Sequence, residues 1–257
     1  KYYQTFDREA VLRIAEAVAK AAYDRAAEFA ELAVEETGYG VVEHKTIKNR
    51  LCTHDLLDHY RDMDLVTPRV DEDRKIIELP KPAGVIFALA PVTNPVATVY
   101  YKSMLAILSR NAIVLSPHPM AKESSVAAAR AVAEAAEAAG APSGLIQCVE
   151  EPSVPLVEEI MASDKINVIM ATGGNTMVRA AYSSGNPALG VGPGNAVAFV
   201  DPSAQVDAAA KCLVDSKSFD NSILCTNESI CLTLEENFDN VKRAFRTAGA
   251  HVCNEED

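Results

Sequence analysis

Apolar residues near the start of the chain recur at intervals of three and four. Val11, Ile14, Ala15, Val18, Ala22, Phe29, Leu32 and Ala33 form one stripe. That spacing predicts an amphipathic helix over 5–36, stopped by Gly38 and Gly40. A more polar helical stretch follows over 45–63. A charged segment, 71–75, then leads into 75–79, which Pro80 and Pro82 flank and which reads as an exposed strand or arm.

After Pro82 the pattern changes. Short runs rich in Val, Ile and Ala alternate with helical patterns of roughly 10–20 residues. Strands are predicted at 84–90, 112–115, 145–149 and 167–171, with helices at 95–108, 121–139, 154–162 and 175–183. Apolar strands without alternation imply a parallel sheet covered on both faces, so the expected fold is α/β with a doubly wound, Rossmann-like sheet. Two short strands, 188–191 and 196–200, flank Gly192-Pro193-Gly194-Asn195, which reads as a tight reversal. A helix at 204–214, a strand at 230–234 and a helix at 238–248 follow. A last strand-like piece, 250–253, runs into Glu255-Glu256-Asp257, which does not read as the end of a finished domain.

A length of 257 residues fits one to two domains. The formal net charge of −12 argues against a nucleic-acid backbone or an anionic membrane as partner. No run of about 18 apolar residues and no signal peptide is visible. Six cysteines lack CxxC pairing and read as reduced thiols, which points to the cytoplasm. Cys148, Cys212 and Cys231 read as small buried apolar residues. The five histidines form no H-x-x-x-H pair, and His251 with Cys253 lacks a second pair, so no metal site is predicted.

In such a sheet, ligands lie outside the carboxyl ends of the strands. Four loops carry candidate chemistry. In Thr93-Asn94-Pro95, asparagine before proline is a good helix start, or else a side-chain N–H for a developing oxyanion. Ser116-Pro117-His118-Pro119 is an ordinary rigid turn or a ledge for a nucleotide ribose or adenine. Thr172-Gly173-Gly174 closes a strand and opens a helix, an arrangement suited to a pyrophosphate. No G-x-G-x-x-G follows the first strand of the sheet. Cys225 lies in a polar loop, 218–226, where a thiol can be exposed and nucleophilic or merely structural.

Taken in order, Thr93-Asn94-Pro95, Ser116-Pro117-His118-Pro119, Ala171-Thr172-Gly173-Gly174, Ala180-Ala181-Tyr182-Ser183-Ser184-Gly185, Gly190-Val191-Gly192-Pro193-Gly194-Asn195 and Phe219-Asp220-Asn221 with Cys225 resemble the CoA-acylating branch of the aldehyde dehydrogenase superfamily. The resemblance covers essentially the whole chain.

It implies a residue-by-residue chemistry. Cys225 attacks an aldehyde to give a thiohemiacetal and then a thioester, and Asn94 supplies an oxyanion donor. Thr93, Ser116, Pro117, His118, Thr172, Gly173, Gly174 and Gly190 line the NAD site, and coenzyme A is the co-substrate. Hydrolytic relatives carry an acidic residue in a Glu-Leu-Gly-Gly motif, where this chain has Gly190-Val191-Gly192-Pro193. Without that base, water is a poor acceptor and a thiol a plausible one. The 116–118 loop lacks a Lys or Arg for a 2′-phosphate, which favours NAD over NADP. The resemblance further implies an NAD-binding domain over 1–217 and the beginning of a catalytic domain over 218–257. It also implies a homo-oligomer, a fused alcohol dehydrogenase domain in some members, and a cytoplasmic or bacterial-microcompartment setting. A hydrolytic aldehyde dehydrogenase and a non-catalytic dinucleotide-binding or assembly module are the alternatives.

Overall fold

The structure is a computed structural model that describes residues 1–253. Contacts divide it into two compact units, one of Lys1–Gly38 with Val42–Gly192 and one of Tyr39–Val41 with Pro193–Asp257. The division falls ahead of the expected 217/218 boundary, because the strand after Pro193 finds its partner in the second unit.

In the first unit, α1 (Arg8–Asp24), α2 (Ala26–Thr37), α3 (Val42–Arg50) and α4 (Leu56–Arg61) precede the sheet. Asp7 caps α1, its carboxylate accepting from the Ala10 N–H at 2.9 Å. The expected single helix over 5–36 is broken at Arg25, whose φ of −101° and ψ of 10° leave the helical region. The polar helical stretch is likewise divided, by a π-helical segment at Leu51–Asp55 between α3 and α4. The expected arm is a two-stranded antiparallel ribbon of β1 (Arg69–Asp71) and β2 (Ile76–Glu78), its side chains largely exposed.

The serial βαβ region forms as expected. Its elements are β3 (Val85–Leu89), α5 (Pro95–Leu108), β4 (Ala112–Ser116), α6 (Lys122–Ala138), β5 (Ile146–Cys148), α7 (Val154–Met161), β6 (Val168–Thr172), α8 (Asn175–Ser183) and β7 (Ala188–Val191). Among the described residues these strands make one five-stranded sheet, all parallel, in the order β5-β4-β3-β6-β7. Alternation along β3 shows why its run is uniformly apolar. Ile86 and Ala88 join the core formed with α1, α5 and α6, whereas Phe87 and Leu89 join the core formed with α7 and α8. The sheet is doubly wound, and its central strand β3 is buried on both faces.

In the second unit, β8 (Ala196–Val200) pairs in parallel with β9 (Glu228–Thr233), joined through α9 (Val206–Ser218) and followed by α10 (Phe238–Thr247). Two expectations are corrected here. The strands at 188–191 and 196–200 do not pair across a tight reversal, because each belongs to a different sheet. Residues 250–253 do not form a strand, since a strand needs a neighbour for its backbone hydrogen bonds and none of the described strands pairs with them. Cys212 and Cys231 are also exposed rather than buried, Cys231 because β9 lies in a sheet of only two described strands.

Candidate active site

The first unit collects the expected cofactor residues at one edge. The chain runs from β3 outward to β5, then returns to β6 on the other side of β3, so the strand order reverses between β3 and β6. The loops beyond their carboxyl ends carry Thr93-Asn94 and Gly173-Gly174, and Ser116 ends the adjoining β4. This is where open α/β sheets bind ligands.

Asn94 is the residue before α5, with Pro95 at the first helical position, yet its side chain caps nothing. Its Oδ1 accepts from Lys48 Nζ at 2.5 Å, and its Nδ2 donates to Thr93 Oγ1 at 3.1 Å. The Thr93 carbonyl accepts from Lys45 Nζ at 3.0 Å. The amide is thus held by α3 rather than spent on the helix it precedes.

Thr172 is the last residue of β6. Gly174 precedes α8 with φ −67° and ψ 161°, and Gly173 donates its N–H to the Val191 carbonyl at 3.2 Å. A Cβ placed on either glycine meets nothing within 4 Å. The start of α8 therefore faces open space, with the first N–H groups of the helix directed there.

Ser116 is buried, and its Oγ has no hydrogen-bond partner. Pro117 leads to His118, whose Nδ1 accepts from the Met120 N–H at 3.2 Å. Burial pushes the His118 imidazole below its usual range. Beyond this loop, the N–H groups that open α6 are occupied. The Glu36 carboxylate accepts from Glu123 N at 2.7 Å, Ser124 N at 2.9 Å and Ser124 Oγ at 2.7 Å.

Gly190 serves packing within β7. A Cβ there meets Tyr182 Cε2 at 2.6 Å and Val178 Cγ1 at 2.7 Å, and its N–H donates to Tyr182 Oη at 2.9 Å.

Cys225 belongs to the second unit, in a turn between a 3-10 turn at Phe219–Ser222 and β9. Its thiol is exposed. Three successive residues before it, Asp220, Asn221 and Ser222, have φ of 53°, 52° and 63°, left-handed values that non-glycine residues seldom adopt. Side chains hold this strained stretch. Buried Asp220 accepts from the Val41 N–H at 2.8 Å, and Asn227 Nδ2 donates to the Phe219 carbonyl at 2.9 Å. Gly194 packs on the turn so closely that a Cβ would stand 2.9 Å from the Cys225 carbonyl oxygen. By contrast, burial pushes the Cys148 thiol up to about 12 and the Cys52 thiol up to about 11.

Three lysines escaped the sequence reading. Lys45 and Lys48 sit in a stretch legible only as polar helix, and a K-x-x-K spacing is common on solvated faces. Lys102, on α5, is buried and donates to the carbonyls of Leu89 at 2.7 Å and Met170 at 2.8 Å, bridging β3 and β6 where the strand order reverses. Burial pushes its ammonium down to about 7. Among the described residues, no cluster of three or more His, Cys, Asp or Glu side chains is placed to hold a metal ion.

The chain is 40% identical over 251 residues to the bifunctional aldehyde-alcohol dehydrogenase of Escherichia coli, covering 97% of this chain and 28% of that protein. Its structure is similar to that of an acetylating aldehyde dehydrogenase from Geobacillus thermoglucosidasius, at a TM-score of 0.94 and 40% identity, covering 99% of this chain and 57% of that one. It also resembles a propionaldehyde dehydrogenase from Rhodopseudomonas palustris solved with bound CoA and an acylated cysteine, at a TM-score of 0.87 and 30% identity, covering 99% and 58%. The chain thus spans little more than half of the longest-matched of these relatives. The aldehyde dehydrogenase family model matches residues 3–252, and with the doubly wound sheet and the exposed cysteine turn already described, the chain belongs to the aldehyde dehydrogenase family.

Proposed function

We propose that the polypeptide carrying this chain oxidises a short-chain aldehyde to its acyl-CoA, reversibly and with NAD, through a thioester on Cys225. Cys225 Sγ attacks the carbonyl carbon, and the carbonyl oxygen becomes an oxyanion. Asn94 Nδ2 donates to that oxygen as its charge develops. The thiohemiacetal carbon then gives up hydride and becomes a thioester carbonyl. Attack by an incoming thiol forms a second tetrahedral centre, whose collapse releases the product thioester and returns Cys225 as a thiolate. When bound, NAD accepts the hydride and CoA accepts the acyl group.

The observation that carries this reading is the turn at Cys225. An exposed thiol is held there by a strained backbone, and Gly194, packed on it, belongs to a Gly192-Pro193-Gly194 segment with no carboxylate. Water has no adjacent base in that segment, so a thiol is the better acceptor.

The first unit fits a dinucleotide. Open space lies before α8 at Gly173 and Gly174, and the N–H groups that begin this helix suit a pyrophosphate. Thr93, Thr172 and the Ser116, Pro117 and His118 loop border the same edge of the sheet, and Gly190 supports α8 from β7. The carboxylate of Glu36 at the start of α6 supports NAD rather than its 2′-phosphorylated form, since a phosphate near that helix end would meet a fixed negative charge. We assign NAD binding to the first unit and the nucleophile to the second, with a homo-oligomeric, cytoplasmic enzyme as the setting. A fused alcohol dehydrogenase, as the name of the Escherichia coli relative describes, would reduce the same aldehyde to an alcohol.

The test is product analysis in the intact polypeptide. Aldehyde, NAD and CoA should yield acyl-CoA with little free acid, and Cys225→Ala should retain under about 1% of turnover, as expected on removal of a nucleophile. Free acid formed at full rate without CoA, or an active Cys225→Ala, would overturn the reading.

A further inference from the structure

Two buried ammonium groups, Lys45 and Lys48, have no part in the chemistry above. They lie three residues apart on α3 and so share a face of that helix. Their exposures are 3% and 6%, a depth at which lysine is rare unless its charge is held. They grip consecutive residues, Lys45 the Thr93 carbonyl and Lys48 the Asn94 amide oxygen.

We propose that Lys48 is a positioning residue for the oxyanion donor. Its ammonium, against Asn94 Oδ1, fixes which edge of the Asn94 amide meets the reacting carbonyl and strengthens that amide as a donor. The inference rests on the role of Asn94 given above.

A side-chain amide is nearly symmetric in shape, and a flip exchanges its donor for its acceptor. A flipped Asn94 would turn a lone pair toward the developing oxyanion and repel it. Thr93 Oγ1, the partner of Nδ2 at 3.1 Å, cannot prevent this, because a hydroxyl serves either as donor or acceptor. An ammonium can only donate. A flipped amide would set its NH₂ against the Lys48 ammonium, donor against donor, so Lys48 selects one orientation. In that orientation one Nδ2 hydrogen is engaged with Thr93, and the other is left for substrate. The same contact acts electronically. Positive charge on Oδ1 draws density from the N–H groups, and hydrogen bonds in series reinforce one another where the dielectric is low. The effect grows as negative charge appears on the carbonyl oxygen, so it belongs to the transition state more than to binding.

The experiment compares Lys48→Met, Lys48→Arg, Asn94→Ala and the Lys48→Met/Asn94→Ala pair in the intact polypeptide, reading acyl-CoA formation. Lys48→Met should lower kcat by roughly 10- to 100-fold, part of what loss of an oxyanion donor costs, with KM for aldehyde changed by no more than about twofold. Lys48→Arg should recover part of the loss. The pair should be no slower than Asn94→Ala alone, since Lys48 acts through that amide. A folded Lys48→Met with parental kcat overturns the positioning role, and so do losses that multiply in the pair. Near-parental turnover of Asn94→Ala is a different result: it overturns the oxyanion assignment itself, and the positioning role with it. Should Lys48→Met fail to fold by circular dichroism, Lys48→Gln keeps a neutral donor at Oδ1. Its acyl-enzyme, formed with aldehyde and NAD in the absence of CoA, should show the thioester carbonyl stretch at higher frequency than the parent. An unshifted band overturns the proposal.

Discussion

At the scale of single residues, environment separates the cysteines where composition cannot. Cys225 stands out in the sequence as a cysteine in a polar loop, open between a nucleophile and a structural residue until the resemblance singles it out. What the sequence hid was how the loop is held: three left-handed residues in succession, with the Asp220 carboxylate buried on the Val41 N–H. Asp and Asn tolerate the left-handed region better than other side chains, but local propensity does not predict three such residues in succession, and contacts distant in sequence hold them. The thiols follow suit. Burial holds the Cys148 thiol up at about 12, so it is overwhelmingly protonated at pH 8. Iodoacetamide at pH 8, read by peptide mapping, should therefore modify Cys225 well before Cys148 or Cys52. Total thiol counting would not resolve this, because Cys212, Cys231 and Cys253 are exposed as well. Labelling of Cys225 no faster than Cys148 would make it a structural residue.

At the scale of elements, legibility followed the physics of burial. Strands covered on both faces read clearly as apolar runs, and helices bounded by Pro95 or Asn175 began where those residues stand. The misses are breaks without a breaker. At Arg25 the chain leaves the helix for one residue, and the guanidinium engages Glu28 at 2.6 Å and lies 4.3 Å over the Phe29 ring. The apolar stripe resumes in α2, so its period registers no interruption. The π-helical segment at Leu51–Asp55 is equally silent. Lys102 is the element-scale counterpart, a cation bridging β3 and β6 from within α5. Its ammonium falls from the ordinary 10.5 to about 7 through burial. Between those values the unfolded chain binds more protons than the folded one, so stability rises with pH across that window, and the penalty is fullest below pH 7. The neutral amine still has two N–H groups for its two carbonyl partners. Denaturant titrations at about pH 7 and about pH 9.5 should show a larger gain in the parent than in Lys102→Met, which lacks the titrating group. Equal gains would mean that the buried ammonium carries no penalty.

At the scale of the whole molecule, the chain places the residues proposed for cofactor binding and the proposed nucleophile in different units. All the expected NAD residues lie in the unit that ends at Gly192, and Cys225 lies in the unit that begins at Pro193. That division was hidden because 188–191 and 196–200 look like partners, and only pairing with β9 assigns the second of them elsewhere. The separation predicts which substitutions disturb NAD binding. Gly174 has an extended backbone that valine adopts without strain, and its Cβ would enter open space. Gly174 is also the N-cap of α8, where glycine is preferred to valine, so Gly174→Val should lower stability by about 1 kcal/mol and leave the chain folded. The same side chain would stand between an incoming pyrophosphate and the N–H groups of α8, so NAD affinity should fall by about tenfold or more. Cys225→Ala, confined to the second unit, should leave affinity unchanged. Calorimetry with NAD on the 257-residue chain and these two variants decides the matter. Equal affinity for the parent and Gly174→Val would place the pyrophosphate away from α8, whereas weakened binding by Cys225→Ala would show that the second unit contributes to the cofactor site.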